Sequence, residues 1–180
     1  SHLVPFGEYK PWFVRWIPIA AFSAGSFWEG PGLSTWSLPG LPPVSPLICY
    51  EMIFPGAVIA PDGPRPEWMV NISNDGWYGN TSGPRQHFTF ARFRAVEEGL
   101  PMVRVGGTGI SGVIDAAGVV HHRIAYGATE VVNLPLPQPL GITPFGQNSR
   151  LSFWIVVLAL ILSGFTLELA KNIKNLPPKL

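Results

Sequence analysis

At 180 residues the chain is long enough for one domain with a sizeable core. Twelve basic against eleven acidic side chains leave it nearly neutral, with no basic excess of the kind a nucleic-acid partner requires. Charged residues make up 13% and hydrophobic ones 47%, and a single cysteine rules out an internal disulfide.

Taken in order, Ser1 to Pro11 reads as the end of a strand at Leu3 and Val4, broken by Pro5 and Gly7. Glu8 then falls on a loop at a strand end, where a scaffold commonly presents functional groups, although taken alone it reads first as an exposed, solvated glutamate. No charged segment leads into an apolar one here, so no signal peptide is expected, and the start reads as the interior of a longer gene product. Trp12 to Pro43 carries Trp12, Trp16, Phe22, Phe27, Trp28 and Trp36 among glycines and prolines without a sustained period. Such aromatics suit loops at a lipid interface, or a core under an irregular loop.

Val44 to Pro55 is the stretch on which the chemistry turns. Its cysteine, Cys49, ends a short apolar run bounded by prolines, which predicts a buried strand. Glu51 follows two residues on, and Met52 to Ile59 is apolar enough to begin a helix. A thiol at a strand-to-helix turn lies beside N–H groups without an intrahelical partner, which lower a thiol pKa and hold a developing oxyanion. In isolation, a lone cysteine reads as a small buried hydrophobe.

Beyond a turn-rich connection, Glu67 to Ser73 predicts a strand, and Asn74 to Gly79 a loop rich in hydrogen-bonding groups. Gly83 to Gly99 has a proline near its start, apolar Phe88, Ala91, Ala95 and Val96, and a terminal glycine, the marks of an amphipathic helix. His87 in its first turn reads as a local hydrogen-bonding residue, not a metal ligand, and Arg92, Arg94, Glu97 and Glu98 as a solvated face. Met102 to Val105 and Ile110 to Asp115 predict strands around a glycine-rich break. Gly107 to Gly112 fits GxGxxG, but a strand follows it instead of a helix, which excludes a dinucleotide site. Asp115 to Gly118 predicts a hairpin turn into Val119 to Ile124, where His121 and His122 face opposite ways and cannot share a metal. Val131 to Leu136 is expected as the last strand of a domain over residues 1–136, followed by a Pro/Gly linker over 137–150.

Leu151 to Leu167 carries no charge over 17 residues, and its apolar side chains surround the helix instead of forming a stripe. A transmembrane helix over 151–168 is expected, with a cytoplasmic tail over 169–180 because Lys171, Lys174 and Lys179 follow it. The preceding domain would then face outward, into the periplasm.

Three stretches carry a family resemblance: HLVPFGEYKP, PLICYEMIFP, and NISNDGWYGNTSGPRQHFTFARFRAVEEGLPMVR, followed by TGISGVID. From His2 to about Leu136 they resemble the carbon–nitrogen hydrolase (nitrilase) superfamily, and within it the bacterial apolipoprotein N-acyltransferases. The resemblance implies an α/β fold, part of an αββα sandwich, with one C-terminal transmembrane helix. It places the nucleophile of a Glu-Lys-Cys triad on Cys49, a supporting glutamate on Glu8, and site-supporting or oxyanion groups on Tyr50 and Glu51. The family's lysine lies just before HLVPFGE and its general-base glutamate further upstream, so the chain by itself is expected to be inactive. The match departs from the family at Gly106-Gly107, where an Ala/Asn-containing segment is more usual.

The implied reaction moves an acyl chain from a membrane phospholipid donor to the amino group of a diacylglyceryl-modified apolipoprotein, with no cofactor and no metal. Splitting it through a thioester makes each step easier. Two rivals stand beside it: an amidase or nitrilase with water as acceptor, and a non-catalytic membrane-tethered module.

Overall fold

The computed structural model describes residues 30–174. Glu8 and the aromatic stretch from Trp12 to Trp28 lie outside the described residues, as does the chain after Lys174. One five-stranded mixed sheet runs in the order β1 (Val44–Ile48), β2 (Trp68–Asn74), β3 (Met102–Gly107), β4 (Ser111–Ile114) and β5 (Val120–Ile124). The first three strands are parallel, and β4 and β5 return antiparallel.

Parallel neighbours need crossovers. Between β2 and β3 the crossover is helix α1 (Gly83–Glu98). Its second residue is Pro84, and it stops where Gly99 adopts φ +65°, donating its N–H to the Ala95 and Val96 carbonyls. Phe88, Ala91 and Ala95 of α1 pack onto Leu47, Met69, Met102 and Ile114 of the sheet, with Met52, Val58 and Ile110 closing the core.

Strand alternation puts Met69, Asn71 and Ser73 of β2, and Met102 and Arg104 of β3, on the face toward α1. The other face carries Ile48, Ile72 and Val105, partners in register across the parallel strands and each about half-exposed. The described residues thus form one β-layer and one α-layer.

Several expectations need correction. The helix foreseen over Met52 to Ile59 is a single 3-10 turn, Cys49–Ile53. Pro55 forces Phe54 into extended backbone, and Gly56 at φ +65° turns the chain away. The Asn74–Gly79 loop contains a second 3-10 turn, Asp75–Tyr78, capped by the Asn74 side chain. No strand forms over Val131 to Leu136, where Pro135 and Pro137 remove ladder donors.

Arg94 and Glu98 are buried, not solvated. Arg94 donates to the Ile53 carbonyl at 2.8 Å and pairs with Glu97 at 2.7 Å. Glu98 is paired with Arg65 at 3.2 Å.

A short helix α2 (Pro144–Gln147) interrupts the expected linker, and α3 (Ser149–Lys174) follows at once, running beyond the expected 151–168 at both ends. Its Ser149–Glu168 portion is long and apolar enough to cross a membrane, and none of it is buried against the rest of the chain. A Cβ on Gly56 would overlap the Ser149 side chain, so the loop after Cys49 and the root of α3 approach closely.

Candidate active site

Cys49 stands at the C-terminal end of β1 with φ +50°. For a residue with a side chain this left-handed conformation costs on the order of 1–3 kcal/mol, and it persists only where surroundings hold it. They do so here through side chains that grip the backbone on either side of the turn. Glu51 is buried, and its Oε2 accepts the Ile48 N–H at 2.7 Å. Asn71 Nδ2 donates to the carbonyls of Leu47 and Cys49, both at 3.2 Å. The Asn71 amide is oriented from behind: Arg104 has only donors, so its Nη1 must meet Asn71 Oδ1, which aims Nδ2 at the turn.

Beneath the sulfur lies a buried polar cluster. Ser73 Oγ is 3.5 Å from Cys49 Sγ and 2.8 Å from Asp75 Oδ1. Asp75 is fully buried and accepts from Arg104 Nη2 at 2.7 Å through Oδ2. His87 Nδ1 lies 2.9 Å from both Asp75 Oδ1 and Arg104 Nη2. Burial opposes ionisation of Asp75, but the His87 hydrogen bond, the Arg104 charge and the bonds from Ser73 and Arg104 outweigh it. The carboxyl falls from 3.8 to about 2. At neutral pH Asp75 is therefore an acceptor only; His87 Nδ1 lies between that acceptor and the donor Arg104 Nη2, and His87 Nε2 is buried without a hydrogen-bond partner.

Tyr78 borders the same site, edge-on to the His87 ring at 6.0 Å. Burial first, then the nearby Cys49, Asp75 and Tyr50 groups, push its hydroxyl above the ordinary 10.0. Trp77 beside it is 86% exposed and offers an apolar rim. Tyr50, directly after the nucleophile candidate, is half-buried and packs edge-on against Phe54 at 5.4 Å.

The structure thus brings Cys49, Tyr50 and Glu51 into one turn, while Glu8 lies outside the described residues. Asn71, Ser73, Asp75, Tyr78, His87 and Arg104 join them without having been singled out as site residues from the sequence. One signal was available: Arg104 shares the strand parity of Met102, so a charge points where the core must be. Glu51 and Asn71 hold backbone, Ser73 touches sulfur, and the half-buried thiol stands at the strand end among them.

Comparison with known proteins gives the chain a family. The family model for carbon-nitrogen hydrolase matches residues 2–169. The chain belongs to the carbon-nitrogen hydrolase family. It is 42% identical over 164 residues to the apolipoprotein N-acyltransferase of Rhodopseudomonas palustris, covering 87% of this chain and 30% of that protein. It is 38% identical over 175 residues to the apolipoprotein N-acyltransferase of Bradyrhizobium diazoefficiens, covering 95% of this chain and 32% of that protein. The chain therefore spans about a third of the length of these relatives. Among solved structures, a variant of the amidase from Nesterenkonia sp. AN1 is 22% identical, with a TM-score of 0.47 over 71% of this chain and 50% of that one.

Proposed function

We propose that the chain is the C-terminal part of an apolipoprotein N-acyltransferase. In this reading it moves a fatty acyl chain from a membrane phospholipid to the amino group of a diacylglyceryl-modified apolipoprotein, through a thioester on Cys49. The carrying observation is Cys49 itself, held at φ +50° at the end of β1 in a chain 42% identical to an apolipoprotein N-acyltransferase.

The Cys49 sulfur attacks the ester carbonyl of the phospholipid. A C–S bond forms, the C–O bond breaks, and the lysophospholipid leaves with the thiol's proton. The amine then attacks the thioester, the N–C bond forms as the C–S bond breaks, and the proton the amine loses returns to the released sulfur. N–H groups of the 3-10 turn at Tyr50, unsatisfied within so short a helix, hold the oxyanion in each tetrahedral state. Glu51 supports the turn that aims them, and Glu8 is a further supporting group. The triad's lysine and general-base glutamate come from residues upstream of this chain. The half-exposed face of Ile48, Ile72 and Val105 is where a second sheet completes an αββα sandwich. Helix α3 anchors the domain at the outer face of the bacterial inner membrane, where both lipid substrates reside, with the tail in the cytoplasm.

The test uses the full-length protein with phospholipid labelled in its acyl chain. Wild type is expected to acquire a hydroxylamine-sensitive label and pass it to a diacylglyceryl peptide; Cys49→Ala is expected to acquire none. A label that survives Cys49→Ala moves the nucleophile elsewhere. Release of the acyl group to water in preference to the peptide amine makes the protein a hydrolase.

A further inference from the structure

The polar cluster under Cys49 is larger than burial of a thiol requires. Ser73, Asp75, His87 and Arg104 come from β2, the turn after it, α1 and β3, and all four are buried against the core. Charged and polar groups in such a place are costly unless paired, and pairing among themselves would suffice. Yet the chain of contacts does not close on itself. It ends at sulfur, where Ser73 Oγ lies 3.5 Å from Sγ.

A hydroxyl has one hydrogen and two lone pairs. Ser73 Oγ is within donating distance of both Asp75 Oδ1 at 2.8 Å and Cys49 Sγ at 3.5 Å, but has one hydrogen; with Asp75 ionised the shorter bond takes it, which leaves a lone pair of the oxygen for the thiol hydrogen. Once the thiol loses its proton, the demand reverses, because a thiolate only accepts. Asp75 Oδ2 retains Arg104 Nη2 at 2.7 Å, and Oδ1 keeps His87 Nδ1 within 2.9 Å, so the carboxylate can release the Ser73 hydrogen.

We propose, building on the acyltransferase reading, that Ser73 is a positioning residue for Cys49. Its hydroxyl accepts the thiol hydrogen in the resting site and turns to donate to the thiolate formed during acyl transfer. Asp75, itself held by Arg104 and His87, keeps the oxygen in place through both states. The sulfur stays in one orientation while its charge changes, and the thiolate gains a hydrogen bond when it is needed.

Two readouts on the full-length protein test this. The first is the rate of acyl-enzyme formation from labelled phospholipid. The second is the pH profile of Cys49 alkylation by iodoacetamide, which needs no acyl donor and so stands apart from the acyltransferase reading. Other ionisable groups around the sulfur are unchanged in Ser73→Ala: Tyr50 and Glu51 on its own turn, Asp75 and Tyr78 after β2, His87 on α1, Arg104 on β3, and the upstream lysine and glutamate.

Ser73→Ala is expected to slow acyl-enzyme formation about ten- to a hundredfold, the worth of a hydrogen bond to a charged group, with KM little changed. It is also expected to raise the alkylation midpoint by on the order of one pH unit. Ser73→Thr, which restores the hydroxyl, is expected to recover most of both. An unchanged rate and midpoint in Ser73→Ala overturns the proposal. So does a slowed rate with an unmoved midpoint, a lowered unfolding temperature and no recovery in Ser73→Thr, which marks a purely structural residue. Absence of label on the wild type sinks the acyltransferase reading alone, and the alkylation profile then still decides for or against Ser73.

Discussion

Arg94 reaches out of the C-terminal half of α1 to donate to the carbonyl of Ile53 at 2.8 Å, and so ties the helix to the turn that begins with Cys49. The guanidinium is buried and is also paired with Glu97, whose carboxyl burial pushes above its ordinary 4.5, with Arg94 pulling the other way. The last residue of that turn is thus anchored to the helix that covers the sheet.

Arg94→Ala leaves the half-buried Ile53 carbonyl and Glu97 without that partner. Stability is expected to fall by about 1–3 kcal/mol, with slower alkylation of Cys49 as the turn loosens. Chemical denaturation and an iodoacetamide time course measure the two effects. A variant with wild-type values in both would show that the turn holds its shape without α1.

Gly109 is the closest approach of the β3–β4 loop to Asp75. A Cβ there would overlap Asp75 Oδ2 and Cγ, and Asp75 cannot swing aside without breaking its bonds to Ser73, His87 and Arg104. Gly109→Ala is therefore expected to cost about 1–3 kcal/mol and to disturb the sulfur at a distance. Gly107→Ala, whose Cβ would meet only ordinary contacts at 3.6 Å and beyond, serves as the control. Equal stability of the two variants would mean that Asp75 is more mobile than its three partners imply.

How much of this was legible in the sequence differs by element. Strands β1 to β5 and α1 were readable because apolar residues recur at strand or helix spacing and glycine and proline mark the ends. Cys49, Tyr50 and Glu51 were found because a short motif holds them together. The buried cluster was not, because Asn71, Ser73, Asp75, His87 and Arg104 meet only when β2, α1 and β3 are laid side by side. The pairing of Asn71 with Arg104 across 33 positions is a property of strand register. Arg94 and Glu98 were misjudged for a related reason: a charged residue reads as solvated until its partners, Ile53 and Arg65, are brought to it by the fold.

Asp75 makes stability depend on acid. Its folded pKa is depressed from 3.8 to about 2, so the unfolded chain binds the proton more readily. The resulting stabilisation, on the order of 2 kcal/mol, is fully present above about pH 4 and is lost as pH falls through about 2. Asp75→Asn is expected to flatten that part of the profile. At neutral pH it is expected to be about 3–5 kcal/mol less stable, because Arg104 is left buried without its counter-charge. Unfolding free energies between pH 2 and 7 for both proteins provide the check. A wild-type slope that persists in Asp75→Asn would assign the acid sensitivity to other carboxylates.

Helix α3 carries the prediction about location. Its Ser149–Glu168 portion rises about 30 Å, the thickness of a bilayer's hydrocarbon core, and all of it is unburied. Arg150 lies near one end, while Lys171, Lys174 and Lys179 follow the other, and Glu168 counts little in setting orientation. Long basic side chains at both ends can extend toward headgroups, so neither opposes insertion. The lysine excess is expected to keep the C-terminal end in the cytoplasm and the sheet with Cys49 outside. A reporter active only in the periplasm is then expected to be silent when fused after Leu180 and active when fused within residues 137–143. The reverse pattern would put Cys49 in the cytoplasm, away from exported lipoprotein precursors, and would remove the acceptor that the proposed acyl transfer requires. Activity at both fusion points would mean that α3 does not cross the membrane, and the lipid contact that the proposed reaction requires would then fall to exposed groups such as Trp77.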